Sequence, residues 1–274
     1  MSATDDTSRY ALGHSNRELD RLSAQARLID PITRQFFREA GITRGMRVLD
    51  VGSGAGDVAL LLAELIGNTG EVVGVDRAPR ALAVARARAD LRRNVSFREG
   101  DPARITFERG FDAVVGRYVL QFQPDPVAML RALTRHLHPG GIVAFHELDW
   151  DGARSFTSSS QTYDQCCRWI VETLRMLGAE TRMGIKLHST FVGAGLPAPS
   201  MRLEAVVGGG VNSADCLKLV TDLMETLLTD MGRLGVATAA DIGIETLSDR
   251  IRREVISSNS VIVGRSEIGA WTRV

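Results

Sequence analysis

The sequence is poor in cysteine and lacks an excess of charge of either sign. Its 274 residues include three cysteines, Cys166, Cys167 and Cys216, which are too few and too closely placed for a disulfide framework. No Cys and His residues show the spacing of zinc ligands. Basic and acidic side chains balance at 33 each, so no positive potential remains to hold a phosphate backbone or an anionic membrane. Nucleic acids and membranes are therefore not expected as partners.

Long apolar runs are also missing. The first twenty residues hold Asp5, Asp6 and Glu18 among polar neighbours, and no later stretch is long enough to span a bilayer. We therefore expect a soluble protein in the reducing cytoplasm. The length suits one large α/β domain, with or without a cap, rather than two separately folding units.

What is present is a regular alternation of short buried strands and helices. Strands are predicted at 46–51, 71–76, 95–98, 111–116 and 142–148, and helices at 57–66, 79–91 and from 125 to about 137. This succession predicts a doubly wound, mostly parallel sheet with its ligand at the carboxyl ends of the strands. Two helices precede the sheet, and the second restarts at Asp30, as N-cap, and Pro31.

The last third of the chain is less regular and richer in helix. Helices are predicted at 160–178, 183–194, 213–232 and 239–256, and strands at 201–207 and 260–264. We expect residues 1–44 to form a helical lid, 45–150 the ligand-binding core, and 151–274 the rest of the sheet with a helical cap at 213–256, all in one structural domain. Apolar faces in this cap are compatible with packing against a second copy in a homodimer.

A glycine-lined notch follows the first strand. Residues 48–60 read VLDVGSGAGDVAL, with glycine at three alternate positions, so that a ligand can approach the backbone without meeting a Cβ. The glycines alone do not distinguish a dinucleotide from S-adenosylmethionine. Asp50 at the strand end and Asp57 at the helix start would repel pyrophosphate and attract cationic groups, which favours S-adenosylmethionine. Alternatively, Asp57 is an ordinary residue of a first helical turn.

Acidic residues also follow the next two strands. Asp76 ends the second strand, where its carboxylate can accept both hydroxyls of a ribose, as in NAD sites too. Gly100, Asp101 and Pro102 follow the third strand, where an acid can receive the exocyclic amine of adenine. Alternatively, Asp101 only begins a turn before the proline.

The successive motifs resemble those of class I S-adenosylmethionine-dependent methyltransferases. They are VLDVGSGAGD, VVGVDRAP, VSFREGDP, FDAVVGRYVLQFQPDP and LHPGGIVAFHELDW, in the family's order, over roughly residues 45 to 150. The resemblance implies a seven-stranded sheet of order 3-2-1-4-5-7-6. Residues 10–40 also resemble the helical leader of bacterial small-molecule enzymes of the ubiquinone/menaquinone-type branch.

Carried over position by position, the resemblance implies a set of cofactor-binding residues. They are Asp50, Gly52, Ser53 and Gly54 at the methionine part, Asp76 and Arg77 at the ribose, Gly100, Asp101 and Pro102 at the adenine, Arg117 and Tyr118 beneath the cofactor, and Tyr10 and Gln25 in the leader. Many relatives have alanine where this chain has Pro102, and the proline removes one backbone donor from that spot.

Methyl transfer from a sulfonium requires the nucleophile, the methyl carbon and the sulfur to be held in line, with no covalent intermediate. If the acceptor must lose a proton, His146 near the end of the fifth strand is the best candidate base, because imidazole titrates near neutrality. The alternative is a hydrogen-bonded side chain at a strand end. Glu147, Trp150 and His14 are predicted to lie at the substrate pocket.

The sequence therefore predicts an enzyme that methylates an O, N or C atom of a small molecule, as in secondary metabolism. No cluster of acids and an amide suits magnesium, so metal independence is expected. A methyltransferase acting on a protein or RNA would be expected to carry a basic surface or a recognition module, and neither is visible in the sequence. The acids at the notch disfavour an NAD-dependent oxidoreductase, and a non-catalytic binding protein stays open.

Overall fold

The computed structural model describes residues 16–152, 154–156 and 160–274, with side chains at 28–152 and 160–274. The strands are β1 (Arg47–Val51), β2 (Glu71–Asp76), β3 (Val95–Glu99), β4 (Phe111–Arg117), β5 (Leu137–Asp149), β6 (Arg154–Phe156), β7 (Ser200–Gly209) and β8 (Val261–Arg273). The helices are α1 (Asn16–Ala40), α2 (Asp57–Ile66), α3 (Pro79–Arg88), α4 (Pro126–Leu133), α5 (Gln161–Met176), α6 (Met183–Gly193), α7 (Ala214–Leu234), α8 (Ala239–Ile242) and α9 (Leu247–Ser257). Within this described part, no helix is long and apolar enough to cross a membrane.

All the strands belong to one mixed sheet. Its order is β3-β2-β1-β4-β5-β8, with β7 and β6 also paired to β8. The strands from β3 to β5 in this order are parallel, and β8 runs antiparallel to β5, β6 and β7. Because β6 pairs with the edge of β8 that β5 also occupies, it continues β5. With these two counted as one strand, the predicted order 3-2-1-4-5-7-6 is confirmed.

Three apolar clusters hold the layers together. One lies between α2, the end of α1 and one face of the sheet, and a second lies between α4, α6 and the opposite face. The strands are apolar on both sides because helices cover both faces. The third cluster joins α5, α7 and α9 to Leu148 and Trp150 at the carboxyl end of β5. The predicted cap at 213–256 therefore also includes α5, and from here the cap means these three helices. The cap therefore covers the end of the sheet at which a ligand is expected.

Two helix predictions are corrected by the structure. The first helix does not restart at Asp30, because α1 runs through Pro31 and the Asp30 carboxylate binds Arg117 instead of capping a helix. Phe36 packs on Gly269 of β8, where an added Cβ would lie 2.5 Å from the ring. The second half of α1 is therefore part of the sheet packing, and a lid can include only residues before it. The predicted helix 239–256 is interrupted at Gly243, whose φ of 58° is left-handed.

Two strand predictions were too short. The last strand continues to Arg273 instead of ending near 264, since the charged residues Arg265 and Glu267 that interrupt its apolar run are themselves buried. The fifth strand begins at Leu137, so the predicted turn at 139–141 lies within it. Gly140 donates to the carbonyl of Val274 over 2.7 Å, which holds this early part against the end of the chain.

Candidate active site

The loop after β1 is fixed to the end of β2 by backbone hydrogen bonds. The amides of Gly52 and Ser53 donate to the carbonyl of Val75 over 2.8 and 3.1 Å. The amide of Gly54 donates to a carboxylate oxygen of Asp76 over 2.8 Å. The φ angles of Gly52 and Gly54 are 65° and 51°, in the left-handed region that glycine adopts at low cost. The predicted notch is therefore a rigid turn between the first two strands.

The glycines of the notch serve different purposes. A Cβ at Gly52 would lie 2.7 Å from Cγ2 of Val119, and a Cβ at Gly56 would lie 3.1 Å from Cβ of Ala85, so both allow close packing inside the protein. A Cβ at Gly54 would meet no atom of the described residues within 4 Å. The backbone at Gly54 therefore faces space that a ligand can occupy.

Asp50 supplies a buried carboxylate beside this space. Its side chain is 1% exposed, and within the described part of the chain neither of its oxygens has a partner at hydrogen-bond distance, while the backbone of Ala59 has only a small effect on its pKa. The hydroxyl of Ser53, 6% exposed, is also unpartnered there. Burial raises the pKa of Asp50 well above its ordinary value, although the charge of Arg117 opposes the shift. Because an unpaired buried carboxylate is costly, this arrangement favours a ligand that brings a cationic group.

Asp76 shapes the notch as well as facing it. Its carboxylate accepts hydrogen bonds from the amides of Gly54 and Ala78, each 2.8 Å long. Its backbone carbonyl accepts from the amide of Gly100 over 2.9 Å, which brings the end of β3 alongside β2. The carboxylate stays partly exposed, so it can also meet a ribose.

The predicted adenine edge is a turn held by ion pairs. Arg77 lies 2.7 Å from a carboxylate oxygen of Asp101, and the other oxygen accepts from the amide of Ala103 over 2.9 Å. The turn that was the alternative for Asp101 is therefore present. The carbonyl of Pro102 lies 3.1 Å from Nε2 of His136, which fixes this turn to the end of α4.

Asp57 does not act as a free acid at the notch. Its carboxylate lies 2.7 Å from Arg88, and the same guanidinium donates to the carbonyl of Ala55 over 2.7 Å. This ion pair balances the charge at the start of α2. The attraction of the notch for a cationic group therefore depends on Asp50, and less on Asp57 than the sequence suggested.

Arg117 and Tyr118 point into the protein from the end of β4. Arg117 donates to Asp30 over 2.7 Å and to the hydroxyl of Thr33 over 3.0 Å, and its side chain is 8% exposed. Tyr118 has a φ of 59°, which is unfavourable for a residue with a Cβ. Its hydroxyl donates to Glu267 over 2.6 Å, and this bond holds the strained turn at the edge of the site.

His146 is fully buried, and both of its ring nitrogens are bonded. Nε2 lies 2.8 Å from Glu267, and Nδ1 lies 3.1 Å from the hydroxyl of Thr33. Burial lowers the pKa of His146, which favours the neutral ring, and a proton on Nε2 faces the carboxylate of Glu267. With no exposed surface, His146 cannot contact an acceptor in this structure. This corrects the expectation of a catalytic base and matches the alternative of a hydrogen-bonded side chain.

Glu267 and Arg265 were missed in the sequence, although they form the centre of this polar group. They are 1% and 4% exposed, and Nε of Arg265 donates to Glu267 over 3.1 Å. The guanidinium also lies 5.4 Å from the ring centre of Tyr118 and 5.5 Å from that of Trp150. The signal that could have revealed them is apolar sequence on both sides, VIVG before and IGAW after.

Glu147 and Trp150 are also placed inside the protein. One oxygen of Glu147 accepts from the amides of Val119 and Leu120 over 2.8 and 2.7 Å, so it anchors the turn after β4. Burial raises the pKa of Glu147 to about 8 despite these donors. Trp150 is 3% exposed and packs within the cap cluster. Both residues were predicted to lie at the substrate pocket. In the structure Glu147 is instead buried behind the turn after β4, and Trp150 is part of the core.

The remaining predicted residues lie in the leader. Tyr10 and His14 are outside the described residues, and Gln25 lies in α1 with a side chain that is not described. Among the residues with described side chains, no three His, Cys, Asp or Glu groups are arranged to hold a metal ion.

Comparison with known families decides among the candidates for the notch. Residues 42–188, more than half of the chain, match the family described as "Methyltransferase domain". The chain belongs to this methyltransferase family. Membership of this family explains the order of the strands and the succession of motifs, and the class I assignment made from the sequence is confirmed.

The relatives that this chain matches are named for different molecules. A demethylmenaquinone methyltransferase of Staphylococcus aureus is 34% identical over 111 residues, which are 40% of this chain and 46% of that protein. An arsenite methyltransferase of Aquipseudomonas alcaligenes is 40% identical over 114 residues, 38% of this chain and 33% of that protein. The chain thus matches under half the length of either relative. A putative methyltransferase from Bacillus halodurans superimposes with a TM-score of 0.55 at 17% identity, over 87% of this chain and 96% of that one, which shows a shared fold.

The cofactor of this methyltransferase is S-adenosylmethionine, and the described residues fit it. A cationic ligand would give the unpaired carboxylate of Asp50 a partner, and the space beside Gly54 would receive the ligand's backbone-facing edge. Asp76 lies at the end of the second strand, where a ribose would meet it.

Proposed function

We propose that this methyltransferase moves the methyl group of S-adenosylmethionine to an O, N or C atom of a small molecule by in-line displacement. The observation that carries the proposal is the buried, unpartnered carboxylate of Asp50 beside the open backbone of Gly54. This pair of features suits a ligand that is cationic and free of phosphate. Relatives named for demethylmenaquinone and arsenite support a small acceptor.

Each part of the notch has a separate task in this proposal. Bound S-adenosylmethionine supplies an activated methyl group on a positively charged sulfur. Asp50 and Ser53 bind the methionine part, and Asp76 binds the ribose while it keeps the loop at Gly54 in shape. Asp101 orients the adenine from the turn that Arg77 steadies. These contacts fix the donor, and positioning of this kind can lower a barrier by about 7 to 11 kcal/mol.

The cap provides the acceptor side. Its apolar cluster lies over the end of β5, and the partly buried rings of Tyr118 and Phe122 pack against it. We propose that the acceptor lies between these rings and the cofactor, where apolar walls exclude water. A covered site of this kind suits a small molecule better than a protein or an RNA strand.

The reaction that we propose uses positioning and no base from β5. The nitrogens of His146 are both bonded, and Glu147 is held by the amides that follow β4. The acceptor must therefore enter the site already able to act as a nucleophile, with any proton lost to solvent beforehand. A cavity of about 280 Å³ on the cap, lined by Gln161, Trp169 and Arg250 among others, shares no residue with the notch and is not the acceptor site in this proposal.

A cytoplasmic location and metal independence remain predictions from the sequence.

Incubation with S-adenosylmethionine carrying a deuterated methyl group tests this proposal. The protein is mixed in parallel with a small-molecule extract, a protein fraction and an RNA fraction, and the label is followed by mass spectrometry. We expect label in the small-molecule fraction and formation of the demethylated cofactor. Gly54→Ala, in which a methyl group enters the open space of the notch, is the control that should lose both. Label confined to protein or RNA, or a turnover that this control retains, would contradict the proposal.

A further inference from the structure

The outer strand β7 has an apolar edge. Among the described residues it pairs with β8 alone, so along residues 200–205 its second row of backbone donors and acceptors has no strand partner. Met201, Leu203 and Val207 are 39%, 58% and 60% exposed along this strand. An open edge that carries exposed apolar side chains is a template for pairing with another strand.

The charges of this strand are arranged symmetrically about one residue. Leu203 lies between Arg202 and Glu204, which stand on the opposite face of the strand from Leu203 itself. If a second copy of β7 runs antiparallel with a two-fold axis at Leu203, Arg202 faces Glu204 of the partner subunit, and the reverse pair forms on the other side of the axis. We propose that the protein is a homodimer joined through this pairing of β7 with β7.

The same charges disfavour the neighbouring registers. A two-fold axis at Arg202 would place two arginines opposite each other, and an axis at Glu204 would do the same with two glutamates. Directly opposed like charges destabilise a strand pair, while opposed unlike charges stabilise it. Only the register centred on Leu203 pairs both charges and also brings two exposed leucines together.

Arg202 and Glu204 can form ion pairs across the two-fold axis while they keep the ion pairs within their own subunit. Arg202 lies 2.6 Å from Glu204 and also pairs with Glu39 of α1, and its side chain is still 41% exposed. Arg202, Glu204 and Glu39 of each copy would then form one cluster across the axis. This cluster is more extended than either isolated ion pair, which is the condition under which surface charges contribute.

The contact has a limited length. A shift in the register between Ala205 and Val207 ends the regular ladder with β8, and Pro197 and Pro199 precede the strand. Regular pairing is therefore confined to residues 200–205. A contact of this size gives a dimer that dissociates on dilution.

Sedimentation velocity of the full chain over a dilution series tests the dimer. We expect twice the monomer mass at high concentration, falling to the monomer mass on dilution. Leu203→Lys should be monomeric throughout. Leu91→Lys is the matched control, because Leu91 is 95% exposed beyond the end of α3, and it should behave as the unchanged chain. A chain that is monomeric at every concentration would overturn the proposal.

A charge exchange tests the register. Arg202→Glu opposes acidic side chains to acidic ones in a homodimer, and Glu204→Arg opposes basic side chains to basic ones, so each variant alone should be monomeric. In an equimolar mixture both opposed pairs become unlike again, and a dimer should return. Failure of the mixture to dimerise, or a dimer that persists in either variant alone, would overturn the proposal. The outcome does not depend on the proposed function.

Discussion

Nε2 of His146 lies 2.8 Å from a carboxylate oxygen of Glu267, and neither side chain exposes more than 1% of its surface. The pair continues to Thr33 and Arg117 on one side and to Arg265 on the other. These residues come from α1, β4, β5 and β8, so the network joins the first helix to three neighbouring strands, among them the last strand of the chain. Its position beneath Tyr118 makes it the support of the turn that separates the notch from the cap.

Glu267→Gln tests whether this network stabilises the fold. Burial acts to raise the pKa of Glu267, but the charge of Arg265 and the surrounding donors outweigh it and lower the pKa, so the residue is a carboxylate. Its loss leaves a buried arginine uncompensated, which should reduce the free energy of unfolding by about 3 to 5 kcal/mol. The measurement is urea denaturation. Asp222→Asn, which removes a partly exposed partner of the exposed Lys218, should cost less than about 1 kcal/mol, and an equally small effect of Glu267→Gln would show that the network contributes little.

Glu147→Gln should change how stability depends on pH. The pKa of Glu147 is raised from 4.5 to about 8, so its stabilisation is complete below pH 4.5 and is lost as the pH rises through 8. Glutamine keeps one oxygen for the amides of Val119 and Leu120 and does not titrate. The unfolding free energy of the unchanged chain, relative to this variant, should fall between pH 4.5 and 8. The exposed Glu172→Gln should show no such trend, and a constant difference at Glu147 would indicate that it is ionised throughout.

Gly54→Ala and Gly52→Ala should separate ligand binding from folding. Both positions have a positive φ, so each alanine costs about 1 kcal/mol in backbone strain. At Gly54 the methyl group meets no described atom, and the variant should fold but bind S-adenosylmethionine poorly. At Gly52 it would lie 2.7 Å from Val119, and a further loss of about 1 to 3 kcal/mol in unfolding free energy is expected. Thermal unfolding and calorimetry distinguish the two, and Val119→Ala should partly rescue Gly52→Ala. Normal binding by Gly54→Ala would place the cofactor elsewhere.

Asp76→Ala should weaken S-adenosylmethionine binding by about 1 to 3 kcal/mol, through lost ribose hydrogen bonds and a loosened loop at Gly54. Asp57→Asn is the control, since Asp57 pairs with Arg88, and its dissociation constant should change little. Isothermal titration with the cofactor gives both values. An unchanged constant for Asp76→Ala would remove this residue from the site.

The sheet and the notch could be predicted because their signals are local. The strands are uniformly apolar, and the turn after β1 needs glycine where φ is positive, so both features appear directly in the sequence. The acids at the ends of β1 and β2 were found for the same reason. The alternation of strands and helices predicted a doubly wound parallel sheet, and the order of its strands was implied by the resemblance to class I methyltransferases.

The acceptor side could not be predicted because it depends on residues far apart in the chain. His146 was predicted to be a free base. Only the pairing of β8 with β5 shows that Glu267, 121 positions later, forms a hydrogen bond with its Nε2. Arg265 and Glu267 concealed the length of that strand, since buried ion pairs look like surface residues until their partners are known. Pro31 suggested a break in α1 that packing against the sheet overrides.

The most direct test of the central claim is calorimetric titration of S-adenosylmethionine into the unchanged chain and into Asp50→Asn. Because burial raises the pKa of Asp50, a cation that binds beside it should expel a proton, and affinity should rise with pH up to that pKa. We predict tight binding with proton release in the unchanged chain, weaker binding without it in Asp50→Asn, and no binding of NAD by either. Equal affinity of the two chains for S-adenosylmethionine, or binding of NAD at the notch, would contradict the account.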